Sequence, residues 1–150
     1  MEVPSLQLYL SCNFQDLGRK EVLLDYLATK NFAFTAVTVP APPSDWRKKE
    51  KQHYFRVNAK DLMSTSACYL VMADRYHHSS YQCWVDREIG SALFLDKPII
   101  VLQPWSCWSI DRNLRDQADY IVNFPSESII SALTGCSQRD STKQRLVSYG

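Results

Sequence analysis

The chain has 150 residues, 45% of them hydrophobic and 22% charged, with a formal net charge of +1. That length suits one domain with a real core. So balanced a charge argues against a dedicated nucleic-acid surface, and no apolar run approaches the roughly 18 to 20 residues of a membrane span. The opening Met1-Glu2-Val3-Pro4 lacks the basic-then-apolar pattern of a secretion signal, so a cytoplasmic protein is expected. Cys12, Cys68, Cys83, Cys107 and Cys136 are widely spaced with no CxxC pair, which points to reduced thiols rather than a zinc clamp or redox pair. Cys68, inside an apolar run, reads as core.

Apolar runs alternate with helix-like stretches along the chain, the pattern of a parallel sheet covered on both faces. Leu6 to Leu10 reads as a first strand and Asp16 to Lys30 as a helix, with Val22, Leu23, Tyr26 and Leu27 at helical spacing. Phe32 to Val39 reads as a second strand, stopped by Pro40, and Pro40 to Asp45 as a stiff proline loop. Trp46 to Met63 is expected to be partly helical. Ala67 to Ala73 is a third strand, apolar enough to be buried on both faces. A polar loop, Asp74 to Gln82, leads to a helix over Cys83 to Leu95 and a fourth buried strand over Pro98 to Leu102. A short helix over Ile110 to Gln117, a strand over Tyr120 to Phe124 and a helix over Ser126 to Leu133 follow. The expected architecture is an α/β, flavodoxin-like three-layer fold with a five-stranded, mainly parallel sheet. It spans residues 1–136, with 137–150 a polar tail or short helix. Ligands of such folds sit at the carboxyl ends of the strands, here Ser11–Gln15, Pro40–Asp45, Asp74–Gln82 and Gln103–Ser109. No GxGxxG or GxxxxGK[ST] motif follows a strand, so a glycine phosphate cradle is not expected.

Trp84 and Glu88 lie four residues apart and share a helix face, with Val85, Ile89 and Ala92 marking the buried stripe. A carboxylate at the edge of that stripe is partly desolvated, which raises its pKa unless cations offset the effect. Such a group stabilises a developing cation or binds sugar hydroxyls. The competing reading is a surface glutamate paired with Arg87 or Lys97. His77-His78 lacks ligand spacing, and no metal or bound cofactor is expected. Arg47, Lys48, Lys49 and Lys51 form a basic run, either a solvated helix face or an attractor of phosphates. Trp105 and Trp108 flank the end of the fourth strand.

Three segments carry a family resemblance: Ser64-Thr65-Ser66-Ala67-Cys68-Tyr69-Leu70-Val71-Met72, Trp84-Val85-Asp86-Arg87-Glu88-Ile89, and Asp96-Lys97-Pro98-Ile99-Ile100-Val101-Leu102. Together with Leu8-Tyr9-Leu10-Ser11 running into Asn13-Phe14-Gln15-Asp16, they resemble a TIR-like domain over roughly Leu6 to Leu133, most closely the TIR-like protein of bacterial Thoeris antiphage systems. The resemblance implies an NAD-cleaving enzyme with NAD as substrate. Its ADP-ribose-derived product, plain, cyclic or conjugated, would signal to a partner effector protein, and a homo-oligomer is one possible assembly. Glu88 would stabilise the ribosyl cation, with Trp84 as a pocket wall. Ser11, Asn13 and Phe14 would meet the substrate at the first loop, with Asn13 on a ribose or phosphate and Phe14 on a ring. Asp45 and Trp46 would close over it. Phe14 reads equally well as a hydrophobic staple, and Trp46 as core packing. The proline cluster departs from the family pattern and stiffens the closing loop.

Two further functions compete. One is a non-catalytic TIR-like assembly or scaffold module. The other is a nucleoside deoxyribosyltransferase-like enzyme, whose family also places a glutamate on a helix after a buried strand and follows it with a Lys-Pro strand. That glutamate is its nucleophile.

Overall fold

The computed structural model describes residues 6–15, 17–40, 42, 46–77 and 81–137. Five parallel strands form one sheet in the order β2-β1-β3-β4-β5. They are β1 (Leu6–Leu10), β2 (Phe34–Val37), β3 (Cys68–Met72), β4 (Ile99–Pro104) and β5 (Tyr120–Phe124). The helices are α1 (Arg19–Thr29), α2 (Lys48–Ser64), α3 (Gln82–Phe94), α4 (Arg112–Gln117) and α5 (residues 128–137). This is the expected three-layer α/β fold, and the strand order reverses between β1 and β3. A crevice opens at such a reversal, outside the carboxyl ends of the two strands.

The central strand shows why the sheet forms. All five residues of β3, Cys68 to Met72, are fully buried because helices cover both faces. Alternation divides them. Tyr69 and Val71 join the core under α2 and α3, while Cys68, Leu70 and Met72 join the core under α1 and α5. β1 divides in the same way, with Tyr9 on the first face and Leu8 and Leu10 on the second.

Several boundaries differ from the expectation for local reasons. Leu17 and Gly18 both adopt left-handed backbone, at φ 60° and 61°, so α1 begins at Arg19 rather than at position 16. β2 is an edge strand paired only with β1 and is half the expected length. β4 runs two residues further than expected because β5 keeps pairing as far as Pro104 with Phe124. α4 starts after Asp111, whose carboxylate caps it by accepting from the amides of Asn113 and Leu114. The loop read as polar, Asp74 to Gln82, opens with a short 3-10 turn at Ala73–Arg75 and buries Tyr76 and Tyr81 in the core. The segment read as a tail lies outside the described residues beyond 137. All five cysteines are free thiols, and Cys68 and Cys136 are core.

Candidate active site

The first loop is held by its own side chains. The Ser11 amide donates to the Leu70 carbonyl at 2.8 Å, prolonging the β1–β3 ladder. The Asn13 amide donates to the Ser11 hydroxyl at 3.3 Å, and the Phe14 amide donates to the Ser11 carbonyl at 3.1 Å, closing a single 3-10 turn over Cys12–Gln15. The Asn13 side chain spans to β3. Its Nδ2 donates to the Met72 carbonyl at 3.0 Å and its Oδ1 accepts from the Met72 amide at 3.2 Å.

α3 lays Val85, Glu88, Ile89 and Ala92 on the sheet. Glu88 has no exposed surface. Its Oε1 accepts from the Ser11 hydroxyl at 2.7 Å and the Tyr69 hydroxyl at 2.8 Å. Its Oε2 accepts from the Tyr9 hydroxyl and the Cys12 amide, both at 3.1 Å. An ionised carboxylate offers about four lone-pair sites, so this donor set fills it. Both tyrosines are placed by register. Tyr9 pairs with Tyr69 across β1 and β3, the rings lie 5.7 Å apart, and both hydroxyls reach the same face.

Two opposing effects set the charge of Glu88. Burial favours the neutral acid and dominates, while the bonds from Ser11, Tyr69, Cys12 and Tyr9 favour the carboxylate; the pKa is raised to about 7. Burial, and then the neighbouring Glu88 carboxylate, push the phenols of Tyr9 and Tyr69 and the thiol of Cys12 far above their usual ranges. The phenols remain donors and Cys12 is no nucleophile. The surface ion pair that sequence allowed for Glu88 is replaced by this buried cage.

Asp74, just beyond β3, adds a second carboxylate to the same edge of the sheet. Its Oδ2 accepts from Arg19 at 2.8 Å, while its mostly shielded Oδ1 finds no hydrogen-bond partner. The Arg19 guanidinium also lies 5.9 Å from the centre of the Phe124 ring, tying α1 to the end of β5. Cys107, from the loop after β4, is near enough to Asp74 for that charge to help raise its thiol pKa, although burial is the larger cause. A groove of about 210 Å³ beside it is lined by Gln103, Pro104, Trp105, Cys107, Trp108 and Asn123.

The residues singled out in sequence fare differently. Ser11 and Glu88 are brought into direct contact. Asn13 is close by, but both ends of its amide are engaged by Met72, so a sugar or phosphate would have to displace them. Phe14 is 2% exposed in the core beneath α1, the staple-like placement. Trp84 faces α2, its ring 5.0 Å from Phe55, and is not among the hydrogen-bond partners of Glu88. Trp46 is 38% exposed, edge-on to Tyr54 at 5.2 Å. Asp45 lies outside the described residues. His77 pairs with Asp111 at 2.7 Å, and among the described residues no group of three or more His, Cys, Asp or Glu is placed to hold a metal ion. Sequence reasoning missed Tyr9, Tyr69 and Asp74. The signal was a tyrosine set inside each of two apolar strands, since a buried phenol hydroxyl needs an acceptor.

No protein-family model matches the sequence, and no curated protein matches it. Among solved structures, the fold is similar to that of a 2-deoxyribosyltransferase from the psychrotolerant bacterium Bacillus psychrosaccharolyticus, described as a biocatalyst for nucleoside synthesis. The TM-score is 0.55 at 15% identity, over 83% of this chain and 89% of that chain. Looser overlaps occur with a CMP N-glycosidase of Clostridium botulinum, at TM-score 0.47, 15% identity and 88% and 98% coverage, and with a protein of unknown function from Vibrio parahaemolyticus, at 0.34, 10% and 85% and 98%. The likeness to a deoxyribosyltransferase fold, and not to a TIR domain, overturns the TIR-like resemblance. The Thoeris and NAD-cleaving assignments fall with it. The three quoted segments form β3, α3 and β4, a strand–helix–strand unit that carries the fold. What the likeness establishes is the fold: a deoxyribosyltransferase-like arrangement of five parallel strands between two helical layers.

Proposed function

We propose that this chain is an enzyme that transfers or cleaves a glycosyl group at the N-glycosidic bond of a nucleoside, with Glu88 as nucleophile. The observation that carries this reading is a fully buried carboxylate, poised near neutral pKa, beside the strand-order reversal where ligands of such folds bind. The likeness to a 2-deoxyribosyltransferase fold supports it.

In the reaction, Glu88 as carboxylate attacks the anomeric carbon as the base departs with the electron pair of the glycosidic bond. The glycosyl ester formed on Glu88 is then taken by a second base or by water, which restores the carboxylate. Positive charge builds on the sugar in both steps, and a desolvated carboxylate stabilises it strongly. All four lone-pair sites of Glu88 are filled, so one donor must yield before attack. Tyr9, with the longest of the three side-chain bonds to Glu88, is the donor to give way. Ser11 and Tyr69 then hold the other oxygen in place.

The test is base exchange. The protein is incubated with 2′-deoxynucleosides and a different free base, and the mixture is resolved by chromatography. The expected result is a new nucleoside, or free base if water is the acceptor, from wild type but not from a folded Glu88→Gln variant. Absence of both products across purine and pyrimidine nucleosides and deoxynucleosides sinks the proposal.

A further inference from the structure

On the side of α3 turned away from Glu88, α2 and α3 leave a two-part groove. One part, about 300 Å³, is walled by Phe55, Ala59, Gly90, Ser91 and Phe94. The other, about 170 Å³, is lined by Lys49, Gln52, His53, Arg56 and Arg87. Arg56 and Arg87 line both parts, and Lys60 joins them in the first. From the sequence alone the run Arg47, Lys48, Lys49 and Lys51 reads as a solvated helix face or a phosphate attractor; of these only Lys49 lines the groove, and three observations favour anion binding by the cations gathered here.

First, the cations are concentrated and uncompensated. Lys49, His53, Arg56 and Lys60 recur at helical spacing on one face of α2, and Arg87 approaches from α3. No carboxylate lines either part, and among the described residues none pairs with Lys49, Arg56, Lys60 or Arg87. Of the two acids that flank Arg87 along α3, Asp86 accepts from the Tyr76 hydroxyl at 2.6 Å and Glu88 is buried among its own donors. Like charges one turn apart, such as Arg56 and Lys60, repel and disfavour the helix unless an anion relieves them.

Second, the wall is aromatic and open. Phe94 is 77% exposed with the Lys60 ammonium 5.0 Å from its ring centre. Third, Gly90 stands in mid-helix, where glycine is less stable than alanine, yet a Cβ there would meet nothing within 4 Å. Nothing in the described chain needs the space it leaves. Close approach of a ligand to the backbone is one of the uses of glycine.

We propose that this groove binds a nucleoside monophosphate, with the ring over Gly90 and against Phe94 and the phosphate among Lys49, Arg56 and Arg87. Both parts together are of small-molecule size. The site is separate from Glu88 and does not depend on the reaction proposed above.

The test is titration of 15N-labelled protein with AMP, adenosine and inorganic phosphate, followed by NMR. AMP is expected to shift the backbone amides of Arg56, Arg87, Gly90 and Ser91, and adenosine to bind about tenfold more weakly or worse. Arg56→Gln is expected to weaken AMP binding by a similar factor. Gly90→Leu, which suits the helix and fills the groove, is expected to abolish the ring's contribution while inorganic phosphate still binds. The proposal is overturned if AMP shifts only residues around Ser11 to Asn13, if adenosine and AMP bind alike, or if both variants bind as wild type does. It is also overturned if sedimentation shows a wild-type dimer that Gly90→Leu dissociates, since a second copy would then occupy the groove.

Discussion

The two faces of the sheet are made from the same strands and do different work. Beneath α1 and α5 the strands present Leu8, Leu10, Leu70, Met72, Ile100 and Leu102, an apolar layer. Beneath α2 and α3 the same strands present Tyr9 and Tyr69, and Glu88 descends between them. Both faces are packed cores, and one of them also sets a carboxylate among hydroxyls in the same dry interior. A polar cluster of this kind tolerates burial because every oxygen of Glu88 is matched by donors, and its dryness is what lifts the carboxyl to about 7. The division follows from the alternation of single residues in β1 and β3.

That contrast can be broken on either side. The largest effect is expected at Glu88→Gln, which keeps the size and most of the hydrogen bonds but removes the nucleophile. Glycosyl transfer should fall by about a thousandfold or more while the melting temperature holds, as measured by steady-state kinetics and calorimetry. On the apolar face, Leu70→Ala should destabilise the fold by about 2–5 kcal/mol in urea titration, with turnover per folded molecule unchanged.

The third prediction concerns pH. The folded pKa of Glu88 lies above its ordinary value of 4.5, so the native state holds the proton more tightly than the unfolded chain. The stability associated with that proton is fully present below about pH 4.5 and is lost as pH rises through about 7, a loss on the order of 3 kcal/mol. Comparing wild type with Glu88→Gln across that range should isolate the slope. If the two curves run parallel, Glu88 does not titrate there. Activity should run the other way, rising with pH as the nucleophile ionises. The smallest effect is expected for Tyr69→Phe. Losing the donor at 2.8 Å from Glu88 favours the neutral acid, so the activity profile should move about one pH unit upward. A downward or absent shift would mean that Tyr69 does not tune the carboxylate.

The fold was largely legible because its strands are short apolar runs bounded by turn residues, and the alternation with helices leaves few topologies. Glu88 was legible too, as an acid flush with a buried stripe. Its surroundings were not. Nothing local in Leu8-Tyr9-Leu10 says that its hydroxyl meets a residue 79 positions away. That contact needs the register of β1 on β3, which only the assembled sheet supplies. The Arg19–Asp74 pair is equally non-local. Trp84 misled for a related reason. Spacing places it one turn from Glu88, but a helix face is broad enough for one side chain to point at the sheet and the other at α2. The family signal failed because its motif marks a strand–helix–strand unit rather than a chemistry.

Asn13 has a mechanical consequence. By accepting from the Met72 amide and donating to its carbonyl, its side chain acts as one more peptide group at the point where β1 and β3 part. The crevice between them is therefore stitched shut at its root. Admission of a substrate cannot proceed by spreading these two strands. It must proceed by displacement of what lies above them, so the floor that aims Glu88 stays fixed while the roof moves.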